Sequence, residues 1–137
     1  MEGFFMRLLK ANEFNKEANI NATNCFAFAL GLTENGGRYE LPRKDVDGCN
    51  VKIAEAFKYR AAYNNIMLRE VLSLEETRGK VAFILFGWFS FANFHVVRKN
   101  SDGTFEHKPD WKEPAAEIKW EELRKEYPED YHVFVLA

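Results

Sequence analysis

Phe94-His95-Val96-Val97-Arg98-Lys99-Asn100-Ser101-Asp102-Gly103-Thr104-Phe105-Glu106-His107 is the stretch on which the fold turns. Two short runs of apolar and β-branched residues flank a polar segment, and Asp102-Gly103 is a strong hairpin signal. The spacing predicts a strand at 94–98, a turn at 99–103 and a returning strand at 104–107. A turn centred near Ser101 pairs His95 with His107 on one face of the hairpin. A slip of one residue would put them on opposite faces.

Upstream, Arg78-Gly79-Lys80 leads into the run from Val81 to Trp88. That run is apolar and bounded by glycines, so it reads as a strand buried on both faces. Downstream, Pro109 and Pro114 mark a loop, 117–126 reads as a charged helix, and 131–136 as a last strand. Towards the N-terminus the apolar period becomes helical. Residues 3–14 suggest a short amphipathic helix or an irregular arm. Asn21, Thr23 and Asn24 are N-cap candidates for an apolar helix beginning at Asn24 or Cys25. Gly31, or the Gly36-Gly37 pair, would end it. Residues 33–48 form a loop, 50–64 a helix capped by Asp47 or Asn50, and 66–72 a second short helix. Helices first and an antiparallel sheet afterwards make the class α+β.

The chain has 137 residues, 47% hydrophobic and 29% charged, with 13 Phe. One domain spanning 1–137, with a Phe-rich core and no need of staples, is the expectation. A net charge of -2 excludes a strongly basic, phosphate-tracking protein, so no nucleic-acid partner is expected. No uncharged apolar run approaches the roughly 18 residues of a membrane span. The N-terminus lacks signal-peptide architecture. A cytoplasmic monomer is expected, or an effector exported without a visible signal. Cys25 and Cys49 have neither disulfide-framework nor zinc spacing and are read as reduced thiols. No cofactor and no metal are expected.

The chemistry gathers at three residues. A cysteine at a helix start meets free N–H groups that favour thiolate and can hold an oxyanion. Thiolate is the nucleophile, and an imidazole beside it handles the proton. That imidazole needs its second nitrogen held by a third group. Cys25, His95 and His107 have the types and placement for these roles. Each also has a plainer role: Cys25 as a small core residue, and the histidines as satisfied strand residues. Zinc on the three is weakly supported without a CxxC or HxxxH pair. Cys49 and His132 have no partner pattern.

Asn24-Cys25-Phe26-Ala27-Phe28-Ala29-Leu30-Gly31 resembles the nucleophile helix of papain-like cysteine hydrolases. Phe94–Arg98 through Phe105–Lys108 resembles the strand-turn-strand of the bacterial NlpC-type cysteine peptidases. The match covers residues 19–109 in the unpermuted order, Cys before His. The resemblance implies a papain-like α+β fold with the nucleophile at a helix start, packed on an antiparallel sheet. It implies Cys25 as nucleophile, His95 as general base and acid, and His107 as orienting residue. The Cys25 N–H and one of Asn19, Asn21 or Asn24 would form the oxyanion hole. Two departures bear on substrate: Asn-Cys-Phe-Ala replaces the common Asp-Cys-Ser-Gly, and no export signal is seen.

The function expected is a cysteine hydrolase of peptidase or amidase type, acting on a peptide or protein amide through a Cys-His-His triad. The alternatives are a thiol transferase or deamidase acting on a protein partner, or a catalytically silent binding module. In the last case Trp88, Phe89, Phe91, Trp111 and Trp120 would line a groove. A small inhibitor-like interaction protein is a third class.

Overall fold

The computed structural model describes residues 8–17, 24–32, 50–87, 94–109, 113–128 and 130–137. Its elements in chain order are α1 (Ala11–Glu17), α2 (Cys25–Leu30), α3 (Asn50–Tyr63), β1 (Leu68–Val71) and a 3-10 turn (Leu74–Thr77). There follow β2 (Ala82–Gly87), β3 (Phe94–Lys99), β4 (Phe105–His107), β5 (Ala116–Ile118), α4 (Trp120–Glu126) and β6 (Tyr131–Leu136). The strands form one antiparallel sheet in the order β1-β6-β2-β3-β4-β5. The α+β class read from the sequence holds.

The sheet buries both faces, which is why β2 reads as a continuous apolar run. Phe83 and Leu85 join Cys25, Phe26, Leu30, Phe57, Val96 and Phe134 under α2 and α3. Ala82, Ile84 and Phe86 join Val97, Val133, Val135 and Leu123 of α4 on the other face. The first core is aromatic as expected. Phe57 meets Phe26 edge-on at 5.5 Å and Phe134 at 4.9 Å between centroids.

Helix α2 is short, and its ends are well specified. Asn24 stays extended, and its side-chain oxygen accepts from the Ala27 N–H at 3.1 Å. At the other end Gly31 has φ 72°. The Gly31 N–H donates to the Phe28 carbonyl and the Leu32 N–H to that of Ala27, a Schellman closure. All six helical residues are buried. Cys25, Phe26, Ala29 and Leu30 face the sheet and α3, while Phe28 packs with Phe14 of α1 and Ala115.

Arg98 binds these layers together. Its guanidinium is 1% exposed and donates to the carbonyls of Phe28 and Leu9, to Asn100, and to Glu106 at 3.2 Å. It also lies 4.5 Å over the Phe28 ring. Glu106 in turn accepts from the Ala11 N–H at 3.0 Å, seating α1.

Three expected elements differ. The helix expected over 66–72 is instead β1, paired with β6 from Leu68↔Leu136 to Val71↔Val133. Asn65, at φ 67°, breaks α3 just before it, and the free edge of β6 then captures the segment. The helix expected at 117–126 begins only at Trp120, because Ala116–Ile118 pairs with β4. In the N-terminal segment the described helix is α1, which overlaps the expected 3–14 over residues 11–14 and runs three residues past it, while residues 3–7 fall outside the described residues. The helix expected at 24 or 25 begins at Cys25 behind its Asn24 cap, and the one expected at 50 begins at Asn50. Asp47 falls outside the described residues.

Candidate active site

The hairpin carries the two histidines, and its register differs from the expected one by two residues. Arg98 pairs with Glu106 and Lys99 with Phe105, so the turn is centred on Asp102, not Ser101. The cause is local. The Asp102 carboxylate accepts from the Thr104 N–H at 3.0 Å and from its hydroxyl at 2.7 Å, and Gly103 takes φ 94°. These contacts hold the Asp102 carboxyl down to about 2. An even shift preserves the face, so His95 and His107 become diagonal neighbours within ring reach. His95 Nε2 lies 2.7 Å from His107 Nδ1, with the rings edge-on.

Around that bond the site is dry. His95 is 4% exposed, and its ring stacks on Tyr127 at 4.7 Å and 10°. Tyr127 stacks in turn on Phe86 at 5.2 Å. Burial, with the neighbouring His107, pushes His95 down to about 3. Burial alone pushes His107 down to about 4. Both imidazoles are therefore neutral at neutral pH. One N–H then joins them, and its direction sets the chemistry. If His95 Nε2–H donates to His107, His95 Nδ1 is a bare acceptor able to take a proton.

Cys25 stands at the start of α2, buried in the core on the α2 face. Its sulfur accepts from the backbone N–H of Val96, and the N–H groups of Phe26 and of Cys25 itself also point to it. The thiol thus meets β3 at the peptide that joins His95 to Val96. Strand alternation gives Val96 to the α2 face and turns the His95 ring to the α4 face. The structure brings His95 and His107 together and sets Cys25 against the next peptide. No hydrogen bond joins Cys25 to His95.

A helix start and an imidazole were expected to lower the thiol pKa. Instead burial pushes Cys25 up to about 11 from its ordinary 9.0. The three amides and Lys108 act the other way without offsetting desolvation. The resting site holds a neutral thiol and a neutral imidazole pair.

Of the oxyanion-hole candidates, Asn24 caps α2 with its side-chain oxygen on Ala27 N. Asn19 and Asn21 lie outside the described residues, as do Cys49 and the aromatics Trp88, Phe89, Phe91 and Trp111. Trp120 packs in the α4-side core. His132 pairs with Glu70 at 2.8 Å, partly exposed on β6 and β1. Among the described residues no group of three or more His, Cys, Asp or Glu is placed to hold a metal ion. No helix there is long and apolar enough to cross a membrane.

Two neighbours of the site went unnoticed in sequence. Tyr127 reaches His95 through the fold alone, from the residue that ends α4, and no local pattern marks it. Lys108 had a legible signal. It directly follows His107 at the end of β4 and is buried. No protein-family model, curated protein or solved structure matches the chain.

Proposed function

We propose that the protein is a cysteine hydrolase of peptidase or amidase type on a papain-like scaffold, with Cys25 as nucleophile, His95 as base and acid, and His107 as its orienting partner. One observation carries this: the 2.7 Å bond between His95 Nε2 and His107 Nδ1, with the Cys25 sulfur bonded to the very next backbone amide. That bond leaves His95 Nδ1 for the thiol proton. The His95 ring lies on the α4 face of the sheet and Cys25 on the α2 face, so proton transfer between them requires β3 to turn residue 95 toward α2.

The thiol proton then passes to His95 as Sγ bonds to the substrate carbonyl carbon. The backbone N–H groups at the start of α2 are the donors this reading gives to the charge that develops on the carbonyl oxygen. Collapse breaks the C–N bond, the imidazolium returns the proton to the leaving amine, and water releases the acyl group from sulfur. The substrate class is a peptide or protein amide, and a transferase or deamidase differs only in its acceptor and amide.

A second reading, a catalytically silent module on the same scaffold, is favoured by the raised thiol and the missing Cys25–His95 bond. Exposure to p-nitrophenyl acetate separates the two. The hydrolase acylates Cys25 and turns over. Cys25→Ala abolishes both, Cys49→Ala neither, and His95→Ala slows acylation by about 100-fold or more. A Cys25 that never acylates, or an equal loss in Cys49→Ala, leaves the silent module.

A further inference from the structure

His95 stands at the end of its ladder. β3 begins at Phe94, and Phe94 and His95 pair with Gly87 and Phe86, the last two residues of β2. On its other side the ladder of β3 with β4 covers Arg98 and Lys99 alone. Turning residue 95 toward α2 therefore breaks two backbone pairings and leaves the ladder from Val96 onward in place.

A ring on the α4 face opposes that turn. Tyr127 lies over two neighbours at once: His95 at 4.7 Å and 10°, and Phe86, the cross-strand partner of His95, at 5.2 Å and 27°. Tyr127 is clamped to α4. Its N–H donates to the Leu123 carbonyl at 2.8 Å, and its own carbonyl accepts from Arg124 at 2.6 Å. Arg124 in turn stands over the rings of Trp120 and Tyr131. Ring and helix must therefore move as one. The helix itself is lightly held, with Leu123 as its one buried residue. An element with so little core opens at lower free energy than the sheet beneath it.

Resting on the hydrolase reading for its purpose, we infer that Tyr127 is a restraining residue: its stack on His95 holds the imidazole on the α4 face, away from Cys25, and the site becomes competent when α4 lifts. Lifting α4 removes the stack and frees the first two residues of β3 to turn. The contact is autoinhibitory, and the helix that makes it is the element from which the site is regulated.

The test is Cys25 acylation by p-nitrophenyl acetate in the full chain, read by mass spectrometry, beside amide hydrogen exchange of the same protein. Losing a stacked aromatic pair shifts an equilibrium a few-fold, so Tyr127→Leu should speed Cys25 acylation about three- to tenfold with an unchanged circular dichroism spectrum. Tyr127→Phe, which keeps the ring, should stay within about twofold of wild type. A merely structural tyrosine would slow the reaction or leave it alone. In the wild-type chain the segment carrying Phe94 and His95 should exchange together with α4, and faster than the middle of β2.

An unchanged or slower rate in folded Tyr127→Leu overturns the inference, and so does an equal gain in Tyr127→Phe. If Tyr127→Leu does not fold, hydrogen exchange decides: a Phe94–His95 segment that opens without α4, or only with the whole sheet, overturns it. The two readings fail separately. If Cys25 is never acylated but the segment opens with α4, the hydrolase reading fails and the restraint on His95 stands. Cys25 acylation at a rate indifferent to Tyr127 keeps the hydrolase and removes the restraint.

Discussion

His95 is held by three unlike contacts: His107 at Nε2, the Tyr127 ring on its face, and a backbone paired with Phe86. Of these, the His107 contact sets the tautomer. Nδ1 is a base only while Nε2 keeps its proton, and Nε2 keeps it only while His107 Nδ1 accepts. His107→Ala removes the acceptor. The p-nitrophenyl acetate rate should fall about 10- to 100-fold, less than in His95→Ala, because water can partly replace an orienting group. His107→Asn, whose side-chain oxygen accepts, should recover part of the loss. A wild-type rate in His107→Ala would assign the orienting role elsewhere.

Helix α2 owes its position to its two ends more than to its six-residue length. Gly31→Ala places a Cβ at φ 72°, which costs about 1–2 kcal/mol. Asn24→Ala removes the cap that satisfies Ala27 N and costs about 1 kcal/mol. Urea midpoints of the two variants check both figures, and an unchanged midpoint in Gly31→Ala would mean that the helix exit is not left-handed. These end signals are local, and so they were readable: Asn24, Cys25 and Gly31 specify a helix start and stop within eight residues. The same holds for β2, whose apolar run is long enough to declare burial on both faces. What was not readable is decided at a distance. Leu68-Arg69-Glu70-Val71 suits a helix as well as a strand, and only the edge of β6 settles it. The hairpin turn was readable to within two residues, its centre moved by the Asp102 carboxylate. The histidine pair survived because the shift was even. The thiol pKa was misjudged because a helix start is visible in sequence and full burial is not.

At the scale of the molecule, three buried groups stay neutral when folded, and this shapes stability against pH. The unfolded chain protonates His95 and His107 below an ordinary 6.5, while the folded chain resists to about 3 and 4. The unfolded state then binds more protons, so stability falls as pH falls from 6.5. Glu106 adds a loss in the same direction at lower pH. Burial raises its carboxyl, but bonds from Ala11 N–H, Asn100 and Arg98 outweigh that and hold it down. At the alkaline end the unfolded thiol ionises near 9.0 and the folded one near 11, so stability falls as pH rises between them. Thermal melts should show a plateau between these limits. The acid slope should flatten in His95→Gln/His107→Gln and the alkaline one in Cys25→Ala. A wild-type melting temperature constant from pH 6.5 down to 4 would contradict the neutral pair.

The Arg98 guanidinium has a consequence in time as well as in space. Its bonds to Phe28 and Leu9 join residues 70 and 89 positions apart, while its bond to Glu106 spans 8. Closing the short loop is entropically cheaper than closing the long ones. The hairpin therefore forms with its cation half-served, and the carbonyls of α2 and of the segment before α1 complete it afterwards. The histidine pair, on that same hairpin, is assembled early. The thiol arrives last, with the helix that Arg98 recruits.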